Sequence, residues 1–114
     1  MPSPRFPIPQ GTLDMPILQV LSLEPAHGYC IAQRLEQISQ SVVQVNQGSL
    51  YPALHRLEQK EWLRAEWKES ETGREAKFYS LTRAGRKQLA GEKESWAKLT
   101  GAVQLIFDEE GGRS

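Results

Sequence analysis

At 114 residues, with 39% hydrophobic and 25% charged side chains, the chain has the make-up of one folded domain with an appended element rather than of a disordered polymer. Its apolar runs stay at a few residues, as at Ala102–Val103 and Leu105–Phe107, against the roughly 20 that a membrane span needs. Net charge is zero, which on its face speaks against nucleic acid, and the single cysteine, Cys30, excludes an internal disulfide or a cysteine-rich zinc cluster.

Residues 1–10 form a Pro-rich segment expected to be a flexible arm, with Arg5 and Phe6 as candidate contacts to DNA or to a partner subunit. Met1–Pro9 lacks the apolar stretch of a secretory signal, so a cytoplasmic location is expected. Leu13, Ile17, Leu18, Leu21 and Leu23 then recur near helical spacing and predict a first helix over about 12–23. Thr12 is a candidate cap, but a start there puts Pro16 where it removes a helical bond. A start at Asp14 places that proline harmlessly in the first turn. Glu24 to Gly28 breaks the pattern. Tyr29, Ile31, Ala32, Leu35 and Ile38 mark a second helix, in which Cys30 is expected as a small packed thiol, and Ser39 to Ser41 ends it.

Val42, Val43 and Val45 suit a short extended piece. Asn46 to Ser49 reads as a turn and helix start, and Leu50, Ala53, Leu54 and Leu57 as the buried side of a third helix running to about Lys60. The period then changes to two. Leu63, Ala65 and Trp67 alternate with Arg64, Glu66 and Lys68, Ser70 to Gly73 makes a turn, and Ala76 to Leu81 returns with Lys77, Tyr79 and Leu81 on one face. Trp62 and Trp67 are expected to pack on this hairpin. Thr82 caps a long last helix carrying Leu89, Trp96 and Val103 seven apart, with Glu92, Leu99 and Ile106 three residues later. The tail from 108 to 114 is expected to be disordered.

The predicted fold is therefore mainly α with a small β-hairpin: a winged helix-turn-helix over 11–82 and a dimerisation helix over 83–107. Its third helix buries leucines and leaves Ser49, Tyr51, Pro52, His55, Arg56, Gln59 and Lys60 outside. Such a helix fits a major groove, with Ser49 and Tyr51 on phosphates and His55, Arg56 and Gln59 at base edges, while Arg74 and Lys77 of the hairpin reach the backbone or the minor groove. The zero net charge is partitioned accordingly. Residues 49–87 carry nine Lys/Arg against six Glu, and the acidic excess lies at the two ends. A lone helix with Leu89, Trp96, Leu99, Val103 and Ile106 on one stripe also calls for a second copy. Enzyme, metal and cofactor readings lack an inventory: His27 and His55 fall in different elements, and Gly11, Gly28 and Gly48 are isolated.

Gly11-Thr12-Leu13-Asp14, His27-Gly28-Tyr29, the block from Gly48 to Leu57 and the block from Lys77 to Gly85 closely resemble the PadR family of bacterial transcriptional regulators, over about residues 11–99. The resemblance implies a homodimer that binds double-stranded operator DNA and represses nearby genes. Gly48 to Arg56 would begin and line the recognition helix and Glu71 to Lys77 would form the wing. The single C-terminal helix fits the short branch of the family. In some relatives, aromatic residues on that helix line a cavity between subunits that takes small planar hydrophobic effectors. Trp96 is thus open to two readings, a dimer-core residue or a ligand-stacking wall. The alternative for the whole chain is a winged helix used as a protein-protein interaction module without DNA binding.

Overall fold

The computed structural model describes Phe6–Pro7 and residues 13–111. In chain order it contains β1 (Phe6–Pro7), α1 (Asp14–Leu23), β2 (Ala26–His27), α2 (Gly28–Ile38), β3 (Val43–Gln44), α3 (Gln47–Gln59), β4 (Leu63–Glu69), β5 (Glu75–Leu81) and α4 (Arg83–Gly111). The fold is mainly helical with a small antiparallel sheet, as predicted. Phe6–Pro7, in the segment read as a flexible arm, runs parallel to Val43–Gln44. Thr12, the candidate cap, lies outside the described residues, as do Arg5 and residues 112–114.

Helix α1 begins at Asp14, with Leu13 in the cap position and no side-chain cap bond. Pro16 is therefore the third helical residue, where an N–H would lack a helical partner anyway, and regular bonding starts with the Ile17 N–H on the Leu13 carbonyl at 3.0 Å. Ile17, Leu18, Val20 and Leu21 are all buried, and α1 is apolar on most sides because α2, α3, α4 and β5 all pack around it. Ile31 and Leu35 of α2, Leu50, Ala53, Leu54 and Leu57 of α3, and Leu63, Tyr79 and Leu81 of the sheet complete one contiguous core.

The hairpin register pairs Leu63 with Leu81, Ala65 with Tyr79 and Trp67 with Lys77, which puts the predicted faces of the two strands together. The sheet has a third strand that the sequence reading treats as a break: Ala26 pairs with Tyr79 and His27 with Phe78. Two residues beside Pro25 offer no alternation to detect, so only tertiary pairing shows them.

Thr82 joins sheet to helix. Its hydroxyl accepts the Gly85 N–H at 3.0 Å and donates to the Glu61 carbonyl at 2.7 Å, capping α4 and tying it to the end of α3. Gly85 lies so close to the Trp62 carbonyl that a Cβ there would collide with backbone. Two expectations for α4 need correction. Leu89, assigned to a dimer seam, is 5% exposed and belongs to the chain's own core, because the first turns of α4 lie against α1. The helix also continues through Gly111 rather than ending at 107, and Gln104 donates to Asp108 at 2.9 Å, one turn on, across the predicted end.

Candidate nucleic-acid interface

Helix α3 is built to start sharply. Asn46 is extended and its Oδ1 accepts the Ser49 N–H at 2.9 Å, leaving the N–H groups of Gln47 and Gly48 at the open end of the helix. Helical spacing sets Gly48, Pro52, His55 and Gln59 in one row opposite Leu50, Ala53, Leu54 and Leu57, and all four are exposed. Pro52 cannot offer an N–H to the Gly48 carbonyl, and as an exposed residue its ring presents a flat apolar surface outward. This outward row carries no permanent cation.

The basic residues lie on the two flanks, and both of the innermost are held by carboxylates. On the α1 side, Arg56 donates to Asp14 Oδ1 at 2.7 Å, with the carboxylate only 15% exposed. Asp14 stands in the first turn of α1 and Arg56 in the last turn of α3, so each charge also meets the favourable end of its own helix. On the wing side, Lys77 donates to Glu58 Oε1 at 3.1 Å, with both side chains about a third exposed. That hydrogen bond raises the Lys77 pKa above its ordinary 10.5, so the ammonium stays charged through neutral pH. Burial pushes the neighbouring Tyr79 phenol up as well, and it remains neutral.

The nine predicted contact residues thus divide. His55, Gln59, Pro52 and Tyr51 are exposed on α3, with Ser49 half-buried in its first turn. Lys60 is exposed, its ammonium 4.8 Å from the Trp62 ring centre. Arg56, expected at base edges, and Lys77, expected on DNA, each pair with a carboxylate of the same chain, Asp14 and Glu58. Nothing local in the sequence signals either pair, since the partners are 42 and 19 residues apart. Arg74 sits at the hairpin turn, where Gly73 takes a φ of +85° that favours glycine. It shares that tip with Glu71 and with Glu69 and Glu75, which face each other directly across the strands.

Tyr51 is positioned from a distance. A Cβ on Gly28 would meet the Tyr51 ring at 2.8–2.9 Å, so the glycine that opens α2 makes room for the tyrosine of α3. His27 caps the same helix, its Nδ1 accepting the Cys30 N–H at 3.4 Å while its ring meets Phe78 edge-on. Cys30 packs against the core, as expected. Trp62 is half-buried against that core, but Trp67, expected to pack, is 64% exposed.

Beyond Glu92, α4 presents Trp96 (55% exposed), Leu99, Val103, Ile106 and Phe107 to solvent along one side of the helix. Among the described residues no group of His, Cys, Asp and Glu could hold a metal, and no helix is long and apolar enough to cross a membrane.

The model of the transcriptional regulator PadR-like family matches residues 17–91. A PadR-like transcription factor from Bacteroides fragilis is 36% identical, with a TM-score of 0.72 over 85% of this chain and 91% of that one. A PadR-like transcriptional regulator from Bacillus cereus is 30% identical, with a TM-score of 0.75 over 85% and 92%. A 37.1 kDa protein of a Streptomyces fradiae transposon is 43% identical over 90 residues, which are 79% of this chain and about a quarter (24%) of that protein's length.

Proposed function

This chain belongs to the PadR-like family of transcriptional regulators, which are not enzymes, and we propose that it acts as a homodimeric repressor in the cytoplasm. In this reading residues 11–82 form the DNA-binding unit and α4 the dimerisation element. The observation that carries it is the exposed row Gly48, Pro52, His55 and Gln59 on a helix steadied from both flanks by ion pairs. A rigid helix with a polar, protruding row fits a major groove, where His55 and Gln59 supply directed donors and acceptors for base edges. Ser49, the open first turn of α3, Lys60 and Arg74 supply phosphate contacts. Arg56 acts here as a positioning residue rather than a reader.

Two-fold pairing of the stripe from Trp96 to Ile106 covers an apolar surface that one copy leaves in water, and presents two recognition helices to successive turns of DNA. A small planar hydrophobic effector stacking on Trp96 at that seam would relieve repression only by favouring the arrangement of the dimer that binds DNA less well. The acidic wing tip of Glu69, Glu71 and Glu75 favours a second reading, a protein-docking module. A gel shift with DNA from upstream of the chain's own gene separates them. Salt-sensitive binding that is lost in the double variant His55→Ala/Gln59→Ala is expected, and no binding to any genomic fragment overturns the repressor reading.

A further inference from the structure

Where the start of α2 and Tyr51 of α3 face the hairpin lies a cavity of about 320 Å³, lined by Gly28 and Tyr29, by Tyr51, and by Trp67, Ala76 and Lys77 of the hairpin. Tyr29 and Trp67 are 59% and 64% exposed, so their rings serve no core. Neither residue belongs to the outward row of α3. The start of α2, an 11-residue helix, opens onto the same cavity. Its dipole adds to the ammonium of Lys77 in favouring a negative group.

We infer that this cavity is a cradle for one sugar-phosphate strand of the operator, with Tyr29 and Trp67 as its side walls. The inference rests on the DNA-binding reading and deepens it. When a helix occupies the major groove and the hairpin beside it approaches the adjacent minor groove, the strand that divides the two grooves has to cross between helix and hairpin. The cavity is that crossing point, and it is continuous with the DNA-facing side through Tyr51. Its chemistry matches a nucleic-acid backbone on two counts. Aromatic faces pack against the apolar faces of deoxyribose, and a single ammonium meets a single phosphate. Lys77 exchanges Glu58 for that phosphate at little cost, because both members of the pair are about a third exposed. Gly28 acquires a reason beyond α2: a side chain there would push the Tyr51 ring into the strand's path.

The test uses the full-length protein and two duplexes, one from upstream of its own gene and one scrambled to the same composition, titrated over a range of KCl. Trp67→Ala and Tyr29→Ala are each expected to weaken both duplexes by about five- to tenfold while leaving the preference between them unchanged, since backbone contacts position without reading sequence. Thermal unfolding of both variants should match wild type, as the removed rings are exposed. His55→Ala, by contrast, should erode the preference. Wild-type binding with both variants within twofold overturns the cradle alone and leaves the aromatic walls to a small molecule or another protein. A loss confined to the native duplex overturns it too, by making the walls sequence readers. If wild type binds neither duplex, the DNA-binding reading itself falls.

Discussion

The two ends of α4 carry the same kind of apolar spacing and meet opposite fates. At the root, Leu89 is 5% exposed, Gly85 lies hard against the Trp62 carbonyl, and Thr82 fastens the helix to the end of α3. Further out, Trp96 and Leu99 are 55% and 56% exposed, and a Cβ on Gly101 would meet nothing within 4 Å. One helix therefore has a half that belongs to its own chain's core and an exposed apolar half, which the proposed dimer would cover. A seven-residue repeat says that a stripe is apolar. It does not say what covers each part of it.

The largest expected effect lies at the root. Leu89→Ala should cost about 2–5 kcal/mol of folding stability, and by the same amount at low and high protein concentration, because the cavity it leaves is inside one chain. Chemical denaturation at two concentrations measures this, and a cost that changes with concentration would return Leu89 to the seam. Next, Leu99→Asp should weaken self-association on the order of 100-fold by burying two unpaired negative charges in the proposed paired stripe, with unchanged far-UV circular dichroism. Sedimentation velocity reads the result, and a wild-type monomer there would break the comparison. The two glycines sharpen it further. Gly85→Ala should destabilise by about 1–3 kcal/mol, since the backbone of Trp62 has to move. Gly101→Ala should raise helix stability by about 0.5–1 kcal/mol, since nothing in its own chain lies near the new methyl. A melting experiment on both variants suffices.

The same contrast explains what could be read from the residues. Helices α1 to α3 and the faces of the hairpin strands are legible because periodicity reports which side of an element is buried, and Leu63 with Leu81 and Ala65 with Tyr79 do meet on the predicted faces. So are the Thr82 cap and the tolerance of Pro16, which are local effects. Hidden from view were features made by residues distant in sequence. Strand β2 exists only through Tyr79 and Phe78. The partners of Arg56 and Lys77 in the free protein, Asp14 and Glu58, come beside them only on folding. Trp67 looks like packing material until the hairpin carries it past the end of the core. In each case the residue type is visible in the sequence and its neighbour is not.

The flanking ion pairs differ in a way that matters for DNA. Asp14–Arg56 is the shorter and the more buried, and removing Arg56 would strand a largely enclosed carboxylate. Glu58–Lys77 is open to water and exchangeable. In the proposed complex, phosphate contacts on the wing flank would therefore leave the seat of α3 against α1 undisturbed.

Helix α4 spans 29 residues, about 43 Å at 1.5 Å per residue. It is fixed rigidly at one end to the body that carries α3. In the proposed dimer it would work as a lever arm: a tilt of about 5° imposed at the far end swings the near end by about 3.8 Å, close to one base-pair rise. Two reading heads mounted on such arms would fall out of step with the duplex after a change at the seam too small to disturb either core.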